Sequence, residues 1–384
     1  MDLLTQSVDM TFSKSLIAWQ RQHGRHGLPW QQNRDPYYVW LSEIMLQQTQ
    51  VSSVIPYYLK FLNAFPTVMA LAKAPQQEVM ALWAGLGYYA RARNLHRCAQ
   101  TIVDQFNGQF PARSDLLASL PGIGPSTAAA IAAFCFSERV SILDGNVKRV
   151  LARYRAIHGD PGKKDVERQL WQVATDLLPS PSMLKKDPDA MASHTQGLMD
   201  LGALVCTRGV PKCDACPVQP SCHAHANALV SVLPTPRARK AIPERSTMML
   251  IIEHHGHILL EQRPPKGVWG GLWSLPEMAE ECLPLAQQDG SITLSDQDNE
   301  ATTRATITKL AAFQHVFTHF KLHIQPFAIR VSGQARPMLR EITGKGVMRW
   351  VPFSEIDTYG LPKPVKTLLQ GWLKIKHPDG DAIC

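Results

Sequence analysis

Four cysteines stand close together as Cys206-x6-Cys213-x2-Cys216-x5-Cys222, while Cys98, Cys135, Cys282 and Cys384 are scattered. Four thiolates converging from one compact loop suit a tetrahedral zinc or an iron–sulfur cluster. The spacing does not choose between them, although the two Cys-x-x-Cys pairs usual for zinc are absent. His223 and His225 are near enough to compete as ligands, and surface histidines are the plainer reading. With no secretory signal at the start of the chain, such a group reads as metal ligands rather than disulfides.

Two carboxylates come next. Glu43 sits among apolar residues in Trp40-Leu-Ser-Glu-Ile-Met-Leu-Gln-Gln-Thr49. Withdrawal from water raises a carboxyl pKa and would suit it to give up a proton near neutrality. Asp144, in Ile142-Leu-Asp-Gly-Asn-Val-Lys-Arg-Val150, is placed to cap a helix whose first turns carry Lys148 and Arg149. In Leu120-Pro-Gly-Ile-Gly-Pro-Ser-Thr127, Gly122 and Gly124 let backbone amides approach a phosphate, and the next helix adds its N-terminal dipole. Such a helix-hairpin-helix holds a nucleic-acid backbone without reading its sequence; an ordinary helix–helix turn has the same composition. Gly85-Leu-Gly-Tyr-Tyr-Ala-Arg-Ala-Arg-Asn94 sets tyrosines that can wedge into a base stack beside arginines that can meet phosphates.

These residues need helices to position them. From Thr11 to about Leu204 apolar residues recur at three- and four-residue spacing, so this half should be helical. Asp35 as N-cap and Pro36 at the first helical position start a helix over 37–49. Further helices are predicted over 51–65, 75–83, 88–106, 114–120, 125–136, 144–157, 164–178 and 190–204. Leu233 to Ser246 has three prolines and the basic Arg237, Arg239 and Lys240, and reads as an interdomain linker. Beyond it, β-prone runs at 248–253, 257–262, 323–331 and 347–351 precede a helix over 364–375, giving an α+β second domain. At 384 residues the chain has room for two domains, and 40 Lys and Arg against 32 Asp and Glu leave +8, which favours a polyanionic partner. No run reaches membrane-spanning length, so a cytoplasmic protein is expected.

Taken together, Leu28-Pro-Trp30, Ser42-Glu-Ile-Met-Leu-Gln-Gln-Thr-Gln50, Leu86-Gly-Tyr-Tyr-Ala-Arg-Ala-Arg-Asn-Leu95, the hairpin, Leu143 to Val150 and the cysteine loop resemble the adenine DNA glycosylases of the MutY type, within the helix-hairpin-helix glycosylase superfamily. The resemblance runs from about Leu28 to Leu369. It implies removal of adenine mispaired with 8-oxoguanine or guanine, from a nucleotide flipped out of duplex DNA. Glu43 then matches the acid that protonates adenine N7. Asp144 matches the carboxylate that stabilises the sugar cation, a division of labour like that of O-glycosidases. Asn146 matches a residue orienting the leaving base and nearby water. Trp30 matches part of the adenine pocket, and Gln48 and Tyr88 match positions that enter the DNA stack. Gln31 stands where the family often has arginine, which puts a charge-assisted contact there in question. Endonuclease III-like enzymes share the hairpin, aspartate and cysteine loop but carry a Schiff-base lysine where this chain has Ser126. A monofunctional glycosylase is therefore expected. Lys148 is the candidate for incidental imine formation, with phosphate contact its expected task.

The resemblance also implies a [4Fe-4S] cluster on Cys206, Cys213, Cys216 and Cys222, shaping a loop in which Arg208 and Lys212 meet the DNA backbone. The second domain resembles the family's Nudix-like C-terminal domain. Gly271 and Glu277 reproduce the start of the Nudix signature, but Leu285 and Ala286 replace its Arg-Glu, so the carboxylates that would hold Mg²⁺ are missing. Phe317-Thr318-His319 matches the loop that reads 8-oxoguanine, with Thr318 replacing the usual serine. The expected organisation is a helical catalytic domain over 1–230, with the hairpin at 114–136 and the cluster loop at 206–222, a linker over 231–246, a Nudix-like domain over 247–376 and a tail over 377–384. DNA should lie between the domains. A monomer is expected, with the linker a possible contact for repair or replication proteins. Rival readings are a glycosylase/lyase for oxidised pyrimidines, a non-catalytic mismatch binder and a Nudix pyrophosphatase.

Overall fold

The computed structural model describes residues 3–237, 241–278, 291–296, 299–332 and 346–376. Its internal contacts divide the chain into two units, Met1–Lys73 with Asn94–Arg239, and Ala74–Arg93 with Lys240–Cys384. The second grouping departs from the expected boundary near 230. Residues 74–93 join the C-terminal unit because Gly360 packs on the backbone of Met80 and Ala81, and Arg93 donates to the Gly270 carbonyl.

The first unit is helical: α1 (Leu3–His23), α2 (Pro36–Leu46), α3 (Val51–Ala64), α4 (Val68–Lys73), then α6 (Ala90–Phe106), α7 (Ser114–Ala118), α8 (Pro125–Phe136), α9 (Gly145–Tyr154), α10 (Lys164–Asp176), α11 (Pro181–Lys186), α12 (Ala190–Leu204) and α13 (His223–Ala226); α6 begins inside the segment assigned to the second unit, which also holds α5 (Gln76–Trp83). The Asp35 carboxylate accepts from Tyr37 N at 2.8 Å and Pro36 occupies the first turn, so α2 starts where its cap dictates. Alanines 128–130, 132 and 133 on α8 are buried, and their small side chains let this helix run through the middle of the unit. A core of Phe12, Leu16, Val147, Leu151, Tyr154, Leu170, Leu198 and Leu201 joins α1, α9, α10 and α12.

The second unit also contains a mixed sheet: β1 (Glu244–His254), β2 (His257–Gln262), β3 (Trp273–Ser274), β4 (Glu277–Met278), β5 (Ser291–Asp296), β6 (Asn299–Lys309), β7 (Phe313–Val316), β8 (Lys321–Ser332) and β9 (Met348–Pro352), followed by α14 (Lys363–Lys376). The order is β3-β2-β1-β8-β6-β5, with β1 and β8 parallel, β4 on β1, β7 on β8 and β9 on β2. β1 begins at Glu244, so the linker is shorter than expected. Its start is packed as well: Leu233 is buried and its carbonyl accepts from Arg153 Nε at 2.7 Å. Leu285, Ala286 and the tail over 377–384 lie outside the described residues. No helix among the described residues is long and apolar enough to cross a membrane.

Candidate active site and cysteine cavity

One large pocket of the helical unit, about 1450 Å³, gathers Trp30, Glu43, Gln48, Ser126, Asp144 and Asn146. Each reaches it for a local reason. Trp30 lies in a single 3-10 turn (Pro29–Gln31), buried edge-on against Tyr58 at 5.3 Å. Glu43 is carried by α2, whose neighbouring residues Ser42, Ile44 and Met45 are buried. Asp144 is the N-cap of α9: its Oδ1 accepts from Asn146 N at 2.9 Å and Val147 N at 2.7 Å. Capping and a role in the pocket are therefore compatible. Asn146 sits against α12 where Gly202 leaves no room for a side chain; an added Cβ would come within 2.7 Å of the Asn146 Cβ.

The two carboxylates are electrostatically unlike. Burial, and then the neighbouring Asp144, push the Glu43 pKa from an ordinary 4.5 to about 8. Burial raises Asp144 too, but the two backbone amides, then Arg149 and Arg25, pull it back toward the charged form. The helix dipole of α9 acts in the same direction. Glu43, at about 8, keeps its proton near neutral pH, whereas Asp144, raised overall by burial, is the one of the two whose rise is opposed by amides and arginines.

Further residues, Arg25 and Gln31 on the pocket wall and Asp200 and Arg149 bonded to wall residues, hold the pocket in shape. Arg25 donates through its backbone N at 2.9 Å and its Nε at 2.7 Å to the wholly buried Asp200, which also accepts from Gln196 Nε2 at 2.9 Å. Arg149, also buried, donates to the Cys206 carbonyl at 2.7 Å, the Gly202 carbonyl at 2.6 Å and Asn146 Oδ1 at 2.9 Å, fixing the orientation of that amide. Gln31 lines the pocket, but its Oε1 accepts from Leu28 N at 3.1 Å, so this side chain braces the turn that carries Trp30.

The other singled-out residues lie elsewhere. Gly122 has φ +79°, and an added Cβ would meet the Asn94 Cβ at 2.7 Å, so the hairpin turn needs glycine twice over. Gly124 caps α8 without a side chain and is exposed, as a backbone-amide site for an anion requires. Lys148 is outside the pocket and holds Glu167 at 2.6 Å. In the second unit Tyr88 Oη lies 3.1 Å from Thr318 Oγ1, and the Arg91 guanidinium stands 5.3 Å from the Tyr88 ring. Phe317 stacks on Phe320 at 4.4 Å and meets His315 edge-on at 4.5 Å, while Thr318 and His319 are exposed. Gln48 and Tyr88 have φ of +58° and +50°, a strained region for residues with a side chain and one that collects at functional sites.

Cys206, Cys213, Cys216 and Cys222 line one small cavity with Val150, Tyr154 and His225. Burial pushes the Cys216 thiol up to about 12 and raises Cys213 and Cys222, so a metal must displace protons to bind. Among the described residues no group of three or more His, Cys, Asp or Glu is set to hold a metal ion. The four cysteines face a shared cavity, and thiolates are the donor type of zinc and iron–sulfur sites alike. Arg153 donates to the Thr207 carbonyl at 2.7 Å and lies 3.4 Å from Cys206 Sγ, tying the loop to α9.

Known proteins resemble both halves. A family model described as HhH-GPD superfamily base excision DNA repair protein matches residues 41–175, and one described as NUDIX domain matches 247–371. The adenine DNA glycosylase of Buchnera aphidicola subsp. Acyrthosiphon pisum is 34% identical over 364 residues, covering 94% of this chain and 98% of that one. The adenine DNA glycosylase of Homo sapiens is 33% identical over 413 residues, covering 94% and 73%. Among solved structures, a thermostable thymine-DNA glycosylase covers 58% of this chain and 99% of its own at 26% identity, with a TM-score of 0.51.

Proposed function

This chain belongs to the adenine DNA glycosylases of base excision repair, and from that premise we propose that it hydrolyses adenine from A·8-oxoguanine and A·G mispairs without cutting the strand. The observation that carries the reading is the pairing of Glu43, pushed to about 8, with the amide-capped Asp144 in one pocket. The adenine nucleotide leaves the duplex and enters the pocket beside Trp30. Glu43 gives its proton to adenine N7, the glycosidic bond breaks, and Asp144 stabilises the positive charge left on the sugar. Asn146, its amide held by Arg149, orients the base and a water that adds to the sugar carbon and gives its proton to the Glu43 carboxylate, restoring the acid.

Ser126 supports hydrolysis over lyase chemistry, because the hairpin offers no amine where a Schiff base would form. The lone lysine near Asp144 in sequence, Lys148, is engaged with Glu167. In the second unit, Phe317, Thr318 and His319 read the 8-oxoguanine. The contact between Thr318 and Tyr88 supports that reading, since it joins two residues assigned to the same lesion from distant parts of the chain. Cys206, Cys213, Cys216 and Cys222 would hold a [4Fe-4S] cluster, whose contribution is to fix the loop carrying Arg208 and Lys212 against the DNA backbone.

The test is single-turnover cleavage of a duplex with adenine opposite 8-oxoguanine, each sample divided and developed with and without alkali. Strand breaks only after alkali are expected. Breaks without alkali, in step with base loss, would favour a lyase, and intact DNA in both arms would leave a mismatch binder.

A further inference from the structure

Two exposed ion pairs stand in the lining of the pocket. Between α11 and α12 the chain places two aspartates, Asp187 and Asp189, both lining the pocket. Asp187 Oδ2 lies 2.7 Å from Arg21 Nη2 at the end of α1, and Asp189 Oδ1 lies 2.5 Å from Arg34 Nη2 just before α2. The short acidic connection thus reaches two separate walls. These pairs differ in kind from Arg25–Asp200 on the same pocket. Asp200 has no exposed side-chain surface and accepts three hydrogen bonds, so that pair is fixed. Arg34 and Asp189 are 55% and 58% exposed, and Arg21 and Asp187 44% and 34%, so water and other anions reach all four groups.

A nucleotide that enters the pocket brings a phosphate on either side of its sugar. Arginine binds phosphate oxygens with the same fork that it offers a carboxylate. An exposed ion pair is held weakly enough to be exchanged for one with a phosphate. We propose that Asp187 and Asp189 are stand-ins for DNA phosphates: they occupy Arg21 and Arg34 in the free protein and yield them to the backbone flanking the flipped nucleotide. The α11–α12 connection is thereby a specificity element, lowering affinity for DNA that does not commit a nucleotide to the pocket. This rests on the reading of the pocket as the excision site.

The experiment compares the full-length protein with Asp187→Asn/Asp189→Asn and with a control, Asp104→Asn/Asp176→Asn, which makes the same change in net charge at exposed positions outside the pocket. Dissociation constants are measured on matched and on A·8-oxoguanine duplexes across a salt series. With two arginines released, the Asp187→Asn/Asp189→Asn variant should bind matched DNA about tenfold tighter than the control, and its plot of log affinity against log salt should steepen by about 1 to 2. Adding Arg21→Gln/Arg34→Gln should abolish the gain. Affinity equal to or weaker than the control, or a gain that survives loss of the arginines, would overturn the proposal. A parent protein that binds DNA but releases no adenine would overturn the reading of the pocket instead, and the binding arms would still decide this one.

Discussion

The pocket of the helical unit and the Phe317–Phe320 segment of the β unit hold their functional groups by opposite means. In the pocket, burial does the work: Glu43 is moved to about 8, Asp144 is capped by two amides, and Arg149 and Asp200 have their hydrogen bonds satisfied inside the protein. In the segment, stacked and edge-on rings brace Phe317, while Thr318 and His319 face solvent. Bond breaking needs an altered proton affinity, which desolvation, neighbouring charge and hydrogen bonding provide. Recognition of a base needs an accessible ring and hydrogen-bonding groups. The difference predicts that changes in the pocket alter rate on every substrate alike, whereas changes in the segment alter the ratio between substrates.

The largest effect should follow Glu43→Gln: loss of the acid is expected to lower single-turnover excision by about 10²–10⁴-fold on A·8-oxoguanine and A·G alike, with binding retained. Unchanged excision would remove Glu43 from the chemistry. Asp144→Asn should cost about 10²–10³-fold, again on both substrates, because charge stabilisation at the sugar is lost while the cap survives in part. Phe317→Ala should leave A·G excision near the parent value and reduce the preference for A·8-oxoguanine roughly tenfold, the scale of one lost stacking contact. An equal fall on both substrates would break the comparison. The smallest effect concerns stability. The folded pKa of Glu43 lies above its ordinary value, so its contribution is complete at acid pH and is lost as pH rises through about 8. Thermal denaturation of Glu43→Gln should lack that decline and give a higher Tm than the parent at pH 9.

Much of the helical frame was legible because its signals are local. The Pro125–Phe136 and Ala190–Leu204 helices fall on the predicted ranges, and Asp35–Pro36 marks the start of α2. Short α4 and α11 were missed, having too few turns to establish a period. Strands β5–β7 were missed as well; β6 and β7 are ordered by pairing with β8, and β5 by pairing with β6. Within the pocket, Glu43 and Asp144 stood out by residue type in context. Arg25 with Asp200 did not, because partners 175 residues apart leave no mark on local spacing. Arg149 was seen only as a basic residue near a helix start, and its burial against the Cys206 and Gly202 carbonyls comes from tertiary packing. The packed beginning of the linker and the placement of residues 74–93 with the second unit are likewise long-range facts.

The most direct test of the central claim is the pH dependence of the single-turnover rate constant on A·8-oxoguanine DNA at saturating protein. If a protonated Glu43 is the acid, the rate should be high near neutrality and fall as pH rises through about 8, and the residual activity of Glu43→Gln should lack that limb. A parent rate that rises through pH 8, or a limb that persists in the glutamine variant, would contradict it.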